Sequence, residues 1–160
     1  MPISRYIKKI LDARVYDVAI ASPITHASLL SKRFSNHIYL KREDLQPVFS
    51  FKLRGAYNRA RQLTPEERKK GVIAASAGNH AQGLALAAQK LGIEATIVMP
   101  TTTPEIKVSS VREKGAKVIL FGDAFDEASA YAHQLVKEKG LVYIPPYDDE
   151  DVIAGQGTVA

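Results

Sequence analysis

Apolar and polar residues alternate along this chain with two different periods. A helix is predicted wherever apolar residues recur on one helix face, over residues 3–12, 51–63, 81–91, 104–114 and 125–135. Short apolar runs lie between these stretches, in HIYLKRED (37–44), GVIAAS (71–76), EATIVMP (94–100), AKVILF (116–121) and LVYIP (141–145). The pattern therefore indicates helices that alternate with short strands.

Capping residues predict where several helices begin and end. Thr64, Pro65 and Glu67 have the spacing of a capping box, so a further short helix is expected to begin at this point. Gly92 and Gly140 follow apolar stripes and are expected to end two helices. The acidic residues 148–151 are expected to begin another helix, where negative charge suits the helix dipole.

Strands that alternate with helices of this length predict an α/β fold with a mostly parallel open sheet and helices on both faces. In such sheets ligands bind beyond the carboxyl ends of the strands. The segment SAGNHAQG (76–83) follows a predicted strand and leads into a predicted helix. Its free backbone N–H groups could bind an anion. In the alternative interpretation, Gly78 and Gly83 only permit a tight turn and close helix packing.

Two common phosphate-binding motifs are excluded. Gly78 and Gly83 have the glycine spacing of a P-loop, but Leu84 and Ala85 stand where that motif requires Lys and then Ser or Thr. The GQG at 155–157 lacks the third glycine of a dinucleotide fingerprint. Neither a P-loop nor a dinucleotide site is therefore expected.

Composition narrows the classes of function further. The 160 residues are 46% hydrophobic, enough for one core, and the net charge of +5 is scattered, so nucleic acid is not expected as a partner. There is no cysteine for a disulfide, a thiolate zinc site or a nucleophile, and the four histidines lack metal-ligand spacing. Residues 1–20 interleave charged and apolar residues, so neither a secretory signal nor a membrane span is expected and the predicted location is cytoplasmic.

Lys52 has two possible interpretations. On the helical wheel it lies off the apolar stripe and close to Arg59, which is typical of a solvated surface lysine. The preceding segment PVFSF (47–51), however, is mostly apolar and would partly desolvate the amine. Desolvation favours the uncharged amine, which can form a Schiff base with an aldehyde.

Three segments resemble one enzyme family. SFKLRGAY (50–57), SAGNHAQG (76–83) and PPYDDEDVIAGQGT (145–158) are similar to segments of the threonine dehydratases, or threonine ammonia-lyases. These are pyridoxal-phosphate enzymes of the tryptophan-synthase-β fold, fold type II. The segment LKREDLQPVFSFKLRGA (40–56) resembles the biosynthetic form more than the catabolic one.

The resemblance implies a reaction and a set of site residues. Lys52 would be the catalytic residue that bonds covalently to pyridoxal 5'-phosphate, Phe51 would flank the cofactor ring, and Asn79 would hydrogen-bond its phenolic oxygen. Ser76, Asn79 and His80 would belong to the loop that receives the substrate carboxylate. The implied reaction converts L-threonine, and less well L-serine, to 2-oxobutanoate or pyruvate and ammonia, the first step of isoleucine biosynthesis. A homo-oligomer is also implied.

Two departures from the family pattern leave alternatives open. Ala77 stands where serine racemases have an acid–base serine, which disfavours racemisation, but a serine racemase or serine dehydratase of the same fold type is the second hypothesis. The sequence also stops before the glycine-rich loop that would hold the cofactor phosphate and before the family's regulatory domain. We therefore expect the amino-terminal part of a longer enzyme, and the third hypothesis is a fragment that is not catalytic alone.

The same resemblance implies a domain division. Residues 1–50 would begin the large cofactor domain, residues 51–150 would form a small α/β domain, and residues 151–160 would return into the large domain. The charges of KRED (41–44) are expected to lie in a solvated or paired network, and no chemistry is assigned to them.

Overall fold

The computed structural model describes residues 3–160. The helices of this part of the chain are α1 (Ile3–Asp12), α2 (Ser28–Arg33), α3 (Lys52–Arg61), α4 (Pro65–Lys70), α5 (Asn79–Leu91), α6 (Glu105–Arg112), α7 (Phe125–Lys139) and α8 (Glu150–Gly157). The strands are β1 (Ile24–His26), β2 (Tyr39–Lys41), β3 (Val72–Ala75), β4 (Ala95–Met99), β5 (Lys117–Leu120) and β6 (Val142–Tyr143). Short 3₁₀ turns occupy Val15–Asp17 and Glu43–Leu45.

Helix ends agree with the capping signals. The hydroxyl of Thr64 accepts from the backbone N–H of Glu67, whose carboxylate accepts from the backbone N–H of Thr64. Gly92 and Gly140 follow α5 and α7 with φ of 65° and 69°, in the left-handed region that glycine adopts without strain. The carboxylate of Asp149 accepts from two backbone N–H groups at the start of α8. These local predictions are confirmed.

The region before α3 differs from the sequence-based prediction. β1 and α2 were not predicted, and the strand predicted over HIYLKRED is limited to Tyr39–Lys41. β2 pairs with β1 in an antiparallel ribbon, with Thr25 opposite Leu40. The residues of both strands are mostly exposed, so they carry no buried periodic signal. The chain leaves β2 in a 3₁₀ turn because Glu43 points inward to a buried partner.

A parallel sheet of four strands, in the order β5-β4-β3-β6, forms the centre of the rest of the chain. Ile73 of β3 is paired with Thr96 of β4 on one side and with Tyr143 of β6 on the other. The chain moves outward from β3 to β4 and β5, and then returns to place β6 on the opposite side of β3. The strand order therefore reverses between β3 and β6, and ligands of open α/β sheets bind at such a position.

Apolar side chains fill both faces of this sheet. One face packs against α3, α5 and α6 through residues that include Val72, Ala74, Ile97, Met99, Ala56, Leu84, Ala85, Val108 and Val111. The other face packs against α7 through Ile73, Ala75, Val98, Ala128, Ala132 and Leu135. Alternate residues of a strand point to opposite faces, so each strand contributes to both layers. The predicted α/β class, with helices on both faces, is confirmed.

Helix α3 packs between α5 and α8, and its backbone comes so close to both helices that each has a glycine at the point of contact. A Cβ atom on Gly83 of α5 would lie 3.0 Å from the backbone nitrogen of Leu53. A Cβ atom on Gly155 of α8 would lie 2.6 Å from the carbonyl oxygen of Arg54 and 2.7 Å from the Cα of Gly55. The helices therefore meet backbone to backbone at these positions. For Gly83, the interpretation as a close-packing residue is confirmed.

A buried ion pair connects α3 to the segments that precede it. Arg54 is fully buried, and its Nε and Nη2 donate to the two carboxylate oxygens of Glu43 at 2.7 and 2.9 Å. The hydroxyl of Ser22 also donates to Glu43, at 2.5 Å. On its other side the guanidinium donates from Nη1 to Thr158 Oγ1 at 3.1 Å, at the end of α8. Its Nη2 also donates to the carbonyl oxygen of Ile20 at 3.4 Å, so this one side chain of α3 is bonded to three other parts of the chain.

The carboxyl of Glu43 is held in its charged form. Burial raises the pKa of Glu43, but hydrogen bonds from Arg54, Ser22 and Gln46 outweigh it and leave the pKa below its usual value. The neighbouring Arg42 and Asp44 form an exposed ion pair at 2.7 Å. The expectation of paired charges in residues 41–44 is therefore confirmed.

Two absences apply to residues 3–160. None of the helices in that range is both long and apolar enough to cross a membrane. Nor does that range contain a group of three or more His, Asp or Glu side chains placed to hold a metal ion.

We expect Arg54→Met to lower the free energy of unfolding by roughly 3–5 kcal/mol, because Glu43 would remain buried without a counter-ion. The double variant Glu43→Leu/Arg54→Met removes both charges and should recover most of this loss. Urea denaturation at pH 7 measures both values. Because the pKa of Glu43 is lowered in the folded state, the pair stabilises the fold at pH values above the ordinary carboxyl pKa, and this stabilisation is lost as the pH falls through the lowered pKa. Equal losses in the single and double variants would contradict this account.

Gly155→Ala should lower the free energy of unfolding by about 1–3 kcal/mol, because the added methyl group meets backbone atoms of α3 that cannot move alone. Gly157→Ala is the matched control in the same helix. Its Cβ would meet only the flexible end of the Ile10 side chain, at 2.6 Å. Denaturation curves of the two variants should therefore differ clearly, and similar losses would argue against backbone contact as the cause.

Candidate functional site

Lys52 lies at the first position of α3, next to Phe51 at the N-cap. It is half-buried, and its Nζ donates a hydrogen bond of 2.8 Å to the carbonyl oxygen of Pro146. The Nζ also lies 5.6 Å from the centroid of the Phe51 ring, which is 41% exposed. Lys52 is therefore a partly buried amine with a hydrogen-bond partner in the chain, and not a fully solvated one.

The chain enters α3 through an unusual turn. Phe49 has φ of 56°, in the left-handed region that residues other than glycine rarely adopt. The hydroxyl of the next residue, Ser50, is buried and has no hydrogen-bond partner in residues 3–160. Such features tend to cluster at functional sites.

The segment from Ser76 to Gly78 connects the carboxyl end of β3 to α5, as predicted. Gly78 is the N-cap, and its N–H donates to the hydroxyl of Ser76 at 3.3 Å. No N-cap side chain binds the first turn of α5, and the backbone N–H groups of Asn79, His80 and Ala81 have no partner in the described part of the chain. These groups are donors available to an anion.

His80 is the buried member of this loop, with 3% of its surface exposed. Its Nε2 lies 2.9 Å from the carbonyl oxygen of Ile144, so Nε2 carries the proton and donates it. Its Nδ1 is buried and has no partner in residues 3–160. Burial lowers the pKa of His80 to about 4, the bond to Ile144 opposes this shift, and the nearby charge of Lys52 adds to it. The imidazole is therefore neutral at neutral pH.

Two of the predicted residues, Lys52 and His80, meet beyond the carboxyl ends of β3 and β6. Lys52 and His80 are bonded to the same segment after β6, and the charge of Lys52 is felt at His80. Asn79 is exposed, and its side chain makes no hydrogen bond within residues 3–160. The loop residues Ser76 and Asn79 thus lie beyond the carboxyl end of β3. The free N–H groups at the start of α5 lie at the same place.

Ile144 and Pro146 were not predicted as site residues. In the sequence, Ile144 belongs only to the short apolar run LVYIP (141–145), and neither carbonyl could be predicted because a backbone carbonyl leaves no mark on the choice of side chain. The available signal was the pair of prolines directly after a parallel strand, at the position where such sheets bind ligands.

The chain is similar to proteins of one known family. Residues 15–160 match the family described as pyridoxal-phosphate dependent enzyme. The chain is 60% identical over 154 residues to the biosynthetic, chloroplastic threonine dehydratase of Arabidopsis thaliana. That alignment covers 96% of this chain and 26% of the Arabidopsis protein, so the chain spans about a quarter of the length of this relative.

Solved structures give the same result. The processed form of threonine deaminase isoform 2 from Solanum lycopersicum matches with a TM-score of 0.94 and 58% identity, over 98% of this chain and 46% of that one. Maize serine racemase matches with a TM-score of 0.91 and 33% identity, over 96% of this chain and 47% of that one.

The family match covers most of the chain and agrees with the resemblance of the three sequence segments. It also agrees with the fold, because the similar structures share the arrangement of strands and helices over nearly all of residues 3–160. The chain therefore belongs to the family of pyridoxal-phosphate dependent enzymes.

Proposed function

We propose that this protein is a pyridoxal-phosphate dependent lyase that removes water and ammonia from L-threonine, and less well from L-serine. The products are 2-oxobutanoate from threonine, pyruvate from serine, and ammonia. In metabolism this would be the first step of isoleucine biosynthesis. The observation that carries the proposal is the 60% identity, across 96% of this chain, with a biosynthetic threonine dehydratase.

The residues at the β3–β6 edge fit this cofactor. Pyridoxal phosphate, when bound, supplies an aldehyde that bonds to an amine and a ring that withdraws electrons from bonds at the substrate α-carbon. Lys52 supplies a primary amine that is partly removed from water. The unpartnered N–H groups at the start of α5 suit a carboxylate. The exposed part of the Phe51 ring supplies an apolar surface beside the amine.

We assign the roles as follows. Lys52 would hold the cofactor through a covalent bond at Nζ, and the same amine would accept the substrate α-proton. Phe51 would flank the cofactor ring, and the Asn79 amide would donate a hydrogen bond to its phenolic oxygen. Ser76, Asn79 and His80 form the loop that binds the substrate carboxylate, mainly through backbone N–H groups, and so fixes the direction of the α-proton. His80 is neutral and adds no charge of its own.

Three wider features complete the proposal. Residues 1–50 would begin a large cofactor domain, 51–150 would form a small domain, and 151–160 would return to the large one. The working enzyme would be a homo-oligomer. Its location would be cytoplasmic, although the Arabidopsis relative is named as chloroplastic.

A serine racemase is the second candidate, supported by the maize structure at 33% identity. Racemisation requires a proton donor on the face of the substrate opposite Lys52. Residue 77, within the carboxylate loop, is alanine and has no proton to give. The lyase is therefore favoured.

Lys52→Ala in the complete gene product should abolish the absorbance of the bound cofactor and lower turnover of threonine by at least about 100-fold, because both the covalent bond and the base are lost. Lys41→Ala is the matched control, since Lys41 is also half-buried and donates to a backbone carbonyl, that of Ser22, at 2.6 Å. Borohydride reduction of the wild type should leave the cofactor on the peptide that contains Lys52. A label on another lysine would refute the assignment.

The purified protein should release 2-oxobutanoate and ammonia in equal amounts from L-threonine, and pyruvate more slowly from L-serine. Chiral chromatography of the serine reaction separates the two candidates, because a racemase would accumulate D-serine faster than pyruvate. Mainly D-serine would transfer the proposal to the racemase, and no product from either amino acid would reject both.

A further inference from the structure

Two side chains of the site are held by one short segment. The amine of Lys52 donates to the carbonyl of Pro146 at 2.8 Å, and the imidazole of His80 donates to the carbonyl of Ile144 at 2.9 Å. These partners are 94 and 64 residues apart along the chain, so neither contact follows from local structure. We propose that Ile144–Pro146 is the element that positions both Lys52 and His80 for the proposed reaction.

The chemistry of this segment suits that task. Proline has no backbone N–H, so Pro145 and Pro146 offer carbonyl oxygens to their surroundings and no donors. An ammonium group and an imidazole N–H are both donors, and such a backbone can accept from them without offering a competing donor. The two prolines therefore bind hydrogen-bond donors, such as an ammonium group or an imidazole N–H, and offer no N–H to an acceptor.

The start of the segment is also fixed to the sheet. The N–H of Ile144 donates to the carbonyl of Ile73 at 2.9 Å, which ties the start of the segment to β3, and Ile144 is fully buried. Each proline ring fixes its own φ and restricts the residue before it to extended conformations. The Ile144 carbonyl is therefore held in a fixed relation to the sheet, and the Pro146 carbonyl follows it after two residues of restricted conformation.

For His80 the consequence is one defined tautomer. The Ile144 carbonyl can only accept, so the proton of the neutral ring must be on Nε2. Nδ1 then carries a lone pair, and it has no partner in residues 3–160. The ring is thereby fixed in orientation and protonation state at the start of α5, directly beside the loop that would bind the carboxylate.

For Lys52 the consequence is a defined resting position. A carbonyl oxygen accepts a hydrogen bond from the amine but does not remove its proton. The amine therefore keeps its ability to bond to an aldehyde, while its direction is fixed. The Pro146 carbonyl keeps Nζ at the carboxyl ends of the strands. Pro145 and Pro146 are thus positioning residues that act through Lys52 and His80.

The test uses the complete gene product, freed of cofactor, so that its readouts do not depend on turnover. The variant Pro145→Ala/Pro146→Ala frees the backbone and adds two donors, while Pro100→Ala changes the proline after β4, where no bond to either side chain exists in residues 3–160. The ¹⁵N spectrum of labelled histidine reports the His80 tautomer. Reductive methylation, followed by peptide mass spectrometry, reports the reactivity of Lys52 relative to the exposed Lys69.

In the wild type we expect one tautomer, protonated at Nε2, and a Lys52 that is methylated about fivefold more slowly than Lys69, as one hydrogen bond implies. The double variant should give a mixture of tautomers and a rise of about fivefold in Lys52 methylation, whereas Pro100→Ala should change neither. A folded double variant with wild-type values for both readouts would overturn the proposal.

A backbone-modified variant covers the case in which the double variant does not fold. The α-hydroxy analogue of tyrosine at position 147 converts the amide after Pro146 to an ester, whose carbonyl is a weaker acceptor. The N–H of Tyr147 makes no hydrogen bond in residues 3–160, so this change removes none. Lys52 methylation should rise several-fold while the His80 tautomer stays unchanged, and an unchanged Lys52 rate would refute its positioning by Pro146. These positioning results stand even if the protein proves inactive on threonine, in which case only the proposed function fails.

Discussion

The contact between Arg54 and Glu43 determines where α3 lies, and the position of Lys52 depends on it. A fully buried guanidinium must have its charge compensated, because a bare charge in the interior is far more costly than any single packing contact. Lys52 lies only two residues before Arg54 on the same helix, so it cannot move independently of this ion pair. Gly83 of α5 and Gly155 of α8 restrict the helix from two other sides through backbone atoms, which cannot change rotamer to relieve a clash. The ion pair and the two backbone contacts together restrict α3 from several sides, and this keeps the reactive side chain of Lys52 in one place.

The sheet supplies the other half of the site. Because the strand order reverses between β3 and β6, the loop before α5 and the segment after β6 emerge side by side. The loop brings free N–H groups, which suit an anion, and the segment brings carbonyl oxygens, which suit donors. Lys52 and His80 lie where the loop before α5 and the segment after β6 come together. The neutral state of His80 results from the same arrangement, because burial disfavours its charged form and Lys52 is close by.

The sequence by itself determined what depends on neighbouring residues. The capping box at Thr64, the glycines that end α5 and α7, and the apolar faces of the long helices are local signals, and each was found where the pattern placed it. The α/β class followed from the alternation of these elements, and the family followed from three characteristic segments, in agreement with the comparisons. The exposed ribbon of β1 and β2 was missed, because strands without a buried face carry no periodic signal.

Only the tertiary structure decided the environment of the site residues. On the helical wheel Lys52 is a surface residue. In the structure it is half-buried, and its amine is hydrogen-bonded, because the carbonyl of Pro146, 94 residues away in the sequence, lies next to it. His80 gives no sign in the sequence of its burial or of its partner Ile144. The physical reason is the same in both cases. Burial and the hydrogen bonds that compensate it are properties of groups brought together from distant parts of the chain, and a backbone carbonyl that accepts such a bond is present in every residue type.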